Sequence, residues 1–414
     1  MKRFMVTYMM LFICCIILPA QNHEQLDSVV VTDYRPRAEK KTQTAMMKID
    51  RKDFKFKSVL STPDVIKTLQ MLPGVTPGNE MSSTMNVRGG TGNDNLYLMD
   101  NVPIYQSGHF LGLFSVFNTD MVESVDFYKG GFPARFGGRA SSVVDVRMKD
   151  GNMQDNRGSF SLGITDGRFQ MEGPIKKGVL SYNVAVRHSW VEAFLRPILN
   201  AVSTPDVSYS NDYTKEGHYA FTDLNAKFTW AKSSRDKITF NTYVGFDFMS
   251  FNDSSRSRND IYIGGGTSYE QSKDSYKDAN RWGNLLMSAI WERDLSDKRK
   301  MTSTYYVTDG YYHALRENIS EFTIRDKAYK EYSLESNISS VLDIGAKIDF
   351  SDKSFGRHDL NYGASVVYHL FSPIAFTHDY MENKEKGRYD EEEATAGRNY
   401  HSPELAIYAE DEFA

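Results

Sequence analysis

Cysteine is nearly absent from this chain of 414 residues, and its two cysteines are adjacent, at Cys14 and Cys15. Both lie in the apolar segment 9–18, which follows a short basic N-terminus and precedes a polar stretch that begins at Gln21. This order is typical of a secretory signal peptide, and we predict one at residues 1–20. Cleavage after Ala20 would leave a chain without disulfides, thiol catalysis or cysteine metal ligands.

Long apolar runs, charge of one sign and catalytic motifs are also missing. No segment approaches the ~20 apolar residues that a membrane-spanning helix needs. The net charge is −5 and the basic residues are scattered, so no basic face predicts nucleic-acid binding. Without HExxH, GxSxG or Walker motifs, we predict no enzyme, no cofactor and no metal site. Tyrosine and phenylalanine are instead abundant, at 25 each, which favours a β-rich protein and fits the aromatic girdles of an outer-membrane barrel.

Short apolar strands alternate with pairs of glycines between Asn86 and Lys149. We expect strands at 96–99, 122–128 and 143–148, after a first short strand at 46–49. The glycine pairs at 89–90, 130–131 and 137–138 mark positions where the backbone takes a positive φ or approaches another backbone closely. The pattern predicts a compact α+β domain at residues 46–150.

A helix is expected early in this domain. Thr62 is the predicted cap, Pro63 suits the first helical position and Asp64 suits the positive end of the helix dipole. Pro73-Gly74 would end the helix. Further on, the apolar, glycine-spaced segment 107–114 is either a loop that faces an incoming ligand or a packed segment, and we favour packing.

Four sequence blocks in this domain resemble the plug domain of TonB-dependent outer-membrane receptors. They are NVRGG at 86–90, LYLMDNVPI at 96–104, VESVDFYKG at 122–130 and ARFGGR at 134–139. The resemblance implies that the domain sits inside a β-barrel, where polar groups of the lumen would satisfy the arginines. The motif residues are Arg88, Gly89, Gly90, Asp100, Pro103, Lys129, Gly130, Arg135, Gly137, Gly138 and Arg139.

A β-branched segment precedes the plug-like domain, within a predicted connector at residues 21–45. Its valines favour an extended backbone, as either the first strand of the next domain or a free strand that pairs with the sheet edge of a partner. The segment resembles the TonB box of the same family, which implies binding to TonB and its inner-membrane motor. The predicted TonB-binding residues are Asp27, Ser28, Val29, Val30, Val31 and Thr32.

From residue 157 the sequence changes to long strands with a period of two. In one of them Ile238, Phe240 and Val244 alternate with polar or small residues such as Thr239 and Asn241. The same alternation occurs in soluble sandwiches, so the period alone does not decide the class. The ten predicted strands lie at 157–165, 168–176, 178–190, 219–231, 237–250, 279–294, 300–314, 337–350, 357–371 and 401–413.

The connections between these strands alternate in length. Those near 176–177, 231–236, 295–299 and 351–356 are short, whereas long polar loops are expected at 191–218, 251–278, 315–336 and 372–400. Short turns at one end and long loops at the other are typical of outer-membrane barrels. The predicted fold is therefore an antiparallel membrane β-barrel at residues 157–414 with a small α+β plug inside it.

About ten strands are fewer than the twenty-two of plugged outer-membrane transporters. Open strand edges are costly in hydrocarbon, so we expect the N-terminal part of a longer barrel rather than a small closed one. The function expected is energised import of a scarce nutrient, with a siderophore-like iron chelate as the default small-molecule ligand. A glycan or vitamin importer and a non-transporting receptor or adhesin stay open. Tyr262, Tyr269 and Tyr276, seven residues apart in an expected loop, are weak candidates for ligand stacking.

Overall fold

The structure, a computed structural model, describes residues 46–51, 58–59, 62–78, 84–110, 112–193, 197, 212–263, 266–324 and 327–413. The predicted signal peptide and the predicted TonB-binding residues lie outside this part of the chain. Among the described residues, no helix is both long and apolar enough to cross a membrane.

The first part of the chain forms what we call the N-terminal domain. Its elements are β1 (Met46–Asp50), β2 (Ser58–Val59), β3 (Thr62–Pro63), α1 (Val65–Leu69), β4 (Val75–Pro77), β5 (Met85–Val87), β6 (Asn95–Met99), β7 (Val102–Pro103), β8 (Gly108–His109), β9 (Phe114–Ser115), β10 (Val122–Tyr128) and β11 (Ser142–Met148). Its main sheet has the order β1-β10-β11-β6-β7 and is antiparallel except for the β11–β6 pair. The four short strands predicted for this domain are confirmed.

The predicted helix is shorter than expected and has a different cap. Asp64, not Thr62, is the N-cap, and its side chain accepts a hydrogen bond from the Lys67 N–H at 2.9 Å. Thr62 and Pro63 form β3 instead, and the Thr62 hydroxyl donates to Asp166, 104 positions further along the chain. That tertiary bond removes Thr62 from helix capping. On the other side of Asp64, Val65, Ile66 and Leu69 are fully buried in the core.

The rest of the chain forms one large antiparallel sheet, which we call the wall sheet. Its strands are β12 (Arg157–Leu162), β13 (Asp166–Lys176), β14 (Leu180–Ser189), β15 (Asp212–Ala231), β16 (Asp236–Ile263), β17 (Gly266–Ser296), β18 (Arg299–Ile324), β19 (Lys327–Phe355), β20 (His358–Phe371), β21 (Ile374–Asn383), β22 (Gly387–Gly397) and β23 (Tyr400–Phe413). They follow the chain order from β12 to β20, then β23, while β21 pairs with β19 and β22. Within the described residues the sheet is open, because β12 and β23 do not pair with each other.

The predicted short turns are present, but three of the predicted long loops are wrong. The segments 251–278 and 315–336 are continuations of β16, β17, β18 and β19, which stay paired up to Ile263↔Gly266 and Ile324↔Lys327. The segment 372–400 contains the β21–β22 hairpin. Backbone pairing continues there because hydrogen bonding needs no apolar face, whereas the period-two signal fades once both faces are polar.

Candidate functional site

The N-terminal domain packs against the polar face of the wall sheet. Along β13, for example, Arg168, Gln170 and Glu172 are buried, while Phe169 and Met171 between them are exposed. Polar contacts cross the interface along its length, including Lys149 Nζ to Glu172 Oε1 at 2.5 Å. This interface is the candidate functional site, because any movement of the domain must break these contacts.

A buried group of charges, the His109 cluster, lies where the β8–β9 hairpin meets the wall. The imidazole of His109 is 1 % exposed and lies between two carboxylates, with Nε2 3.0 Å from Asp223 Oδ1 and Nδ1 2.5 Å from Asp247 Oδ1. Its ring stacks on Phe221 with centroids 4.2 Å apart and an interplanar angle of 6°.

Wall residues hold both carboxylates of the His109 cluster in place. Asp223 accepts hydrogen bonds from Arg187 Nε at 2.7 Å and from the Tyr243 hydroxyl at 2.7 Å. Asp247 accepts one from the Tyr219 hydroxyl and one from the Phe110 N–H, the latter at 3.2 Å. The cluster thus contains two carboxylates and, once His109 is protonated, two cations.

The two neighbouring carboxylates favour a doubly protonated imidazole at His109, with Nδ1 hydrogen-bonded to Asp247 and Nε2 within ion-pair distance of Asp223. A neutral ring has one lone pair on nitrogen, and here that lone pair would face a carboxylate oxygen in a buried site. Burial by itself lowers the pKa of His109, but the two carboxylates outweigh this effect and raise the pKa to about 9. His109 is therefore a cation at neutral pH.

A second group of charges, the Asp100 cluster, lies nearer the short turns of the wall sheet. Lys227 Nζ is 3.2 Å from Asp100 Oδ2 and 3.0 Å from Asp150 Oδ1, and Lys237 Nζ is 2.8 Å from Asp150 Oδ2. Burial raises the pKa of Asp150, but the ammonium groups of Lys227 and Lys237 lower it to about 2. Asp150 therefore stays ionised over the physiological range.

Three cations of the wall sheet also bond to main-chain carbonyls of the N-terminal domain. Arg187 donates to the oxygen of Ser115 at 2.8 Å, Lys227 to that of Met148 at 2.6 Å and Lys347 to that of Asn101 at 3.0 Å. These bonds fix the backbone of the domain directly. The three cations lie on β14, β15 and β19. They therefore hold the domain at points that are spread across the wall sheet.

The structure brings several motif residues together within the N-terminal domain. A Cβ on Gly130 would lie 3.1 Å from the Arg88 guanidinium, so the turns after β5 and β10 meet. Lys129 donates to the Pro73 carbonyl at 3.0 Å, and the Pro103 carbonyl accepts from Thr308 of the wall at 2.9 Å.

Satisfaction of the motif arginines by polar groups of a barrel lumen stays a prediction. Arg88, Arg135 and Arg139 are exposed. Arg135 lies over the Phe136 ring at 4.7 Å, and Arg139 donates to the Gly138 carbonyl.

The three candidate ligand-stacking tyrosines lie in strands rather than in a loop. Tyr262 is in β16, paired with Thr267, and Tyr269 and Tyr276 are in β17. The Tyr276 hydroxyl donates to Asp278 at 3.3 Å, and Tyr276 lines an open cleft of about 330 Å³ with Asp274, Ser320 and Glu331. A role of these tyrosines in ligand binding stays a prediction.

The residues that matter most at the interface were missed in the sequence. In the sequence, His109 is only one residue of the segment 107–114 that is predicted to be packed, and this segment is packed, with His109 and Phe114 buried. Nothing local to it signals carboxylates that lie 114 and 138 positions away. The available signal was on the wall side, where Asp223 and Asp247 occupy the polar face of apolar-patterned strands.

Comparison with known proteins identifies the first part of this architecture. Residues 38–144 match the family model described as TonB-dependent Receptor Plug Domain. This part of the chain is therefore similar to the plug domain of TonB-dependent receptors, as the four sequence blocks predicted. Comparison with curated proteins finds no match.

Solved structures with similarity to this chain include three described as receptors. A mutant ferric enterobactin receptor from Pseudomonas aeruginosa is 10% identical, with a TM-score of 0.32, over 88% of this chain and 89% of that one. The siderophore receptor PirA from Acinetobacter baumannii is 11% identical, with a TM-score of 0.38, over 89% and 78%. The ferric yersiniabactin uptake receptor FyuA from Yersinia pestis is 14% identical, with a TM-score of 0.37, over 88% and 61%. The assignment of the plug domain rests on the family model, not on these similarities.

Proposed function

We propose that this chain acts as a TonB-dependent receptor in the outer membrane and imports a scarce nutrient of the siderophore–iron class. The observation that carries the proposal is the orientation of the wall strands. In β13 to β17, polar side chains are buried and the apolar side chains that alternate with them are exposed. A soluble sandwich buries its apolar faces instead.

Strand β15 shows this inversion clearly. Asp223, Asn225, Lys227 and Thr229 are buried, whereas Leu224, Phe228 and Trp230 are each about 40 % exposed. In water, such a continuous apolar face would drive association. Lipid is the environment that suits an exposed apolar face together with a fully paired backbone. This supports an outer-membrane location with lipid as the neighbour of the wall sheet.

Energy for import would reach the plug through the segment ahead of it. The outer membrane has no ATP and no ion gradient, so movement of the plug requires a mechanical link to the inner membrane. We propose that TonB, driven by its inner-membrane motor, pairs with residues 29–31 by strand addition and pulls on the plug. The contacts of the His109 and Asp100 clusters are what this force would have to break.

A small iron chelate is the cargo we propose, since the plug family implies it. Next to the buried rings of Tyr219 and Trp282, the half-buried Phe110 and the exposed Tyr312 offer flat surfaces that suit an aromatic chelator. Phe110 is half-buried with its ring 4.4 Å from that of Tyr219, and Trp282 lies 6.5 Å from Tyr312. Stacking on such rings is favourable for planar ligands.

Replacement of Val30 by proline tests the proposal. Proline removes a backbone donor from the pairing strand, so uptake of radioiron-loaded catecholate and hydroxamate chelates by whole cells should stop. Binding of the same chelates to de-energised cells should be unchanged. Val30→Ile, which keeps the donor, should import normally. Normal uptake by Val30→Pro would reject the TonB-box assignment, and a lack of binding by every chelate would reject the cargo class.

A further inference from the structure

The His109 side chain fits the wall as a ligand fits a binding site. Both ring nitrogens face carboxylate oxygens, one face of the ring stacks on Phe221, and 1 % of the side chain is exposed. The other parts of this site come from three wall strands: Arg187 from β14, Tyr219, Phe221 and Asp223 from β15, and Tyr243 and Asp247 from β16.

Wall residues alone make three of the hydrogen bonds that orient the two carboxylates. Asp223 is fixed by Arg187 and Tyr243, and Asp247 by Tyr219, all of which belong to the wall. None of these three bonds involves the plug. Carboxylates that are oriented in advance bind a cation without first losing rotational freedom.

The wall residues of this site carry one more negative than positive charge. Asp223 and Asp247 carry two negative charges, and within the described part of the chain Arg187 is the wall cation that pairs with them. Tyr219 and Tyr243 donate hydrogen bonds but carry no charge at neutral pH. An uncompensated carboxylate in a buried site is costly, so the wall attracts a positive group.

We propose that Asp223, Asp247 and Phe221 form a binding site on the wall sheet for one planar cation with two N–H donors, and that His109 is its built-in occupant. The chemical class is that of imidazolium and guanidinium groups. Occupation of the site holds the β8–β9 hairpin of the plug on the wall. The site exists whether or not the protein imports a nutrient, so its test requires no transport.

A cavity variant with an added ligand tests the proposal. His109→Gly removes the built-in cation, and imidazole is the probe that replaces it. The reporter is Ser115→Cys on β9, since Ser115 is fully buried and its hydroxyl has no hydrogen-bond partner among the described residues. A thiol reagent labels the introduced thiol when the hairpin leaves the wall. The same protein with Ser115 retained gives the labelling background.

In the full chain in membranes, His109→Gly should raise the labelling rate of the introduced thiol by about tenfold or more, which corresponds to roughly 1.4 kcal/mol. Imidazole at pH 6 should bring the rate back toward that of the protein with His109. Rescue should weaken as pH rises above about 7, where free imidazole loses its charge. 1-Methylimidazole, which has one N–H donor when protonated, should rescue less.

Two variants act as controls for structure. His188→Gly removes an exposed histidine that contacts Thr222, and it should neither raise labelling nor respond to imidazole. His109→Gly combined with Asp247→Asn should lose the rescue, because one carboxylate of the site is gone. If His109→Gly does not assemble, His109→Gln should assemble and label faster than the protein with His109. Unchanged labelling in a folded His109 variant, or rescue that is equal with and without Asp247, would overturn the proposal.

Discussion

Asp100 of the plug and Lys227 of the wall form a partly desolvated ion pair, with 3.2 Å between the carboxylate and the ammonium and about a tenth of each side chain exposed. The other oxygen of Asp100 accepts the Met148 N–H at 3.0 Å. Asp100 has a positive φ of 47°, in the turn that joins β6 and β7. Asp100 therefore stabilises the β6–β7 turn, binds the end of β11 and contacts the wall sheet.

Replacement of Asp100 by asparagine should destabilise the protein. The amide keeps an oxygen for the Met148 N–H but leaves the Lys227 charge with Asp150 alone. Loss of one partner of a buried pair costs about 3–5 kcal/mol, and the shared partner Asp150 should reduce this to about 2 kcal/mol. Urea unfolding in detergent measures the change. Asp155→Asn, in an exposed pair with Arg157 at 3.8 Å, should change stability by less than ~0.5 kcal/mol.

His109 should make stability fall at alkaline pH. Its pKa is about 9 in the folded protein and about 6.5 in an unfolded chain. A raised pKa gives stabilisation that is complete below about pH 6.5 and is lost as pH rises through 9, with about 3 kcal/mol in total. Comparison of the parent with His109→Gln over this range isolates the effect. A constant difference between the two proteins would show that His109 is not the titrating group.

Gly90 should not tolerate a side chain. An added Cβ would lie 2.5 Å from Ser141 Oγ and 2.6 Å from Ser141 Cβ, so Gly90→Ala must displace Ser141, the residue before β11. Overpacking of this kind costs about 1–3 kcal/mol. Gly137→Ala is the matched control, because no heavy atom lies within 4 Å of its added Cβ and its φ is not positive. That variant should be neutral or slightly more stable, and thermal unfolding compares the two.

A charge on the outward face of β16 should impair assembly in the membrane. Phe240 is 50 % exposed, and lysine at the lipid midplane costs about 2–4 kcal/mol in an outer-membrane barrel. Phe240→Lys should therefore lower the amount of protease-resistant protein in outer-membrane fractions. Ser234→Lys, in the exposed turn before β16, should have no such effect. Equal amounts for the two variants would argue against lipid at this face.

Much of the fold could be predicted because its signals are local. The alternation of Ile238, Phe240 and Val244 predicts a strand, and glycine pairs predict sharp turns. The sequence does not predict where the hairpins end. The polar segment 251–278 has the composition of a loop, although its backbone stays paired. The helix cap was misplaced for a related reason. Only the folded chain shows that Thr62 is bonded to Asp166.

The interface was harder to predict than the fold. The sequence blocks include Asp100 and Pro103, which contact the wall. They also include Arg135 and Arg139, which are exposed, and nothing in the blocks distinguishes the two kinds of residue. Conversely, His109 has no distinctive neighbours in sequence. Its role depends on a register that sets Asp223 opposite Gly245 and Asp247 opposite Phe221 in the β15–β16 pair. Such pairing between distant strands has no local signature.

Arg187, Lys227 and Lys347 bind the plug through its main-chain carbonyl oxygens. Mutations in the wall and in the plug therefore affect these bonds differently. Every residue carries a carbonyl, so amino-acid replacements at Ser115, Met148 or Asn101 leave the acceptors in place. Each of these bonds can be abolished by a single replacement of its wall cation. The three bonds themselves therefore constrain the basic residues of the wall and not the side chains at these plug positions.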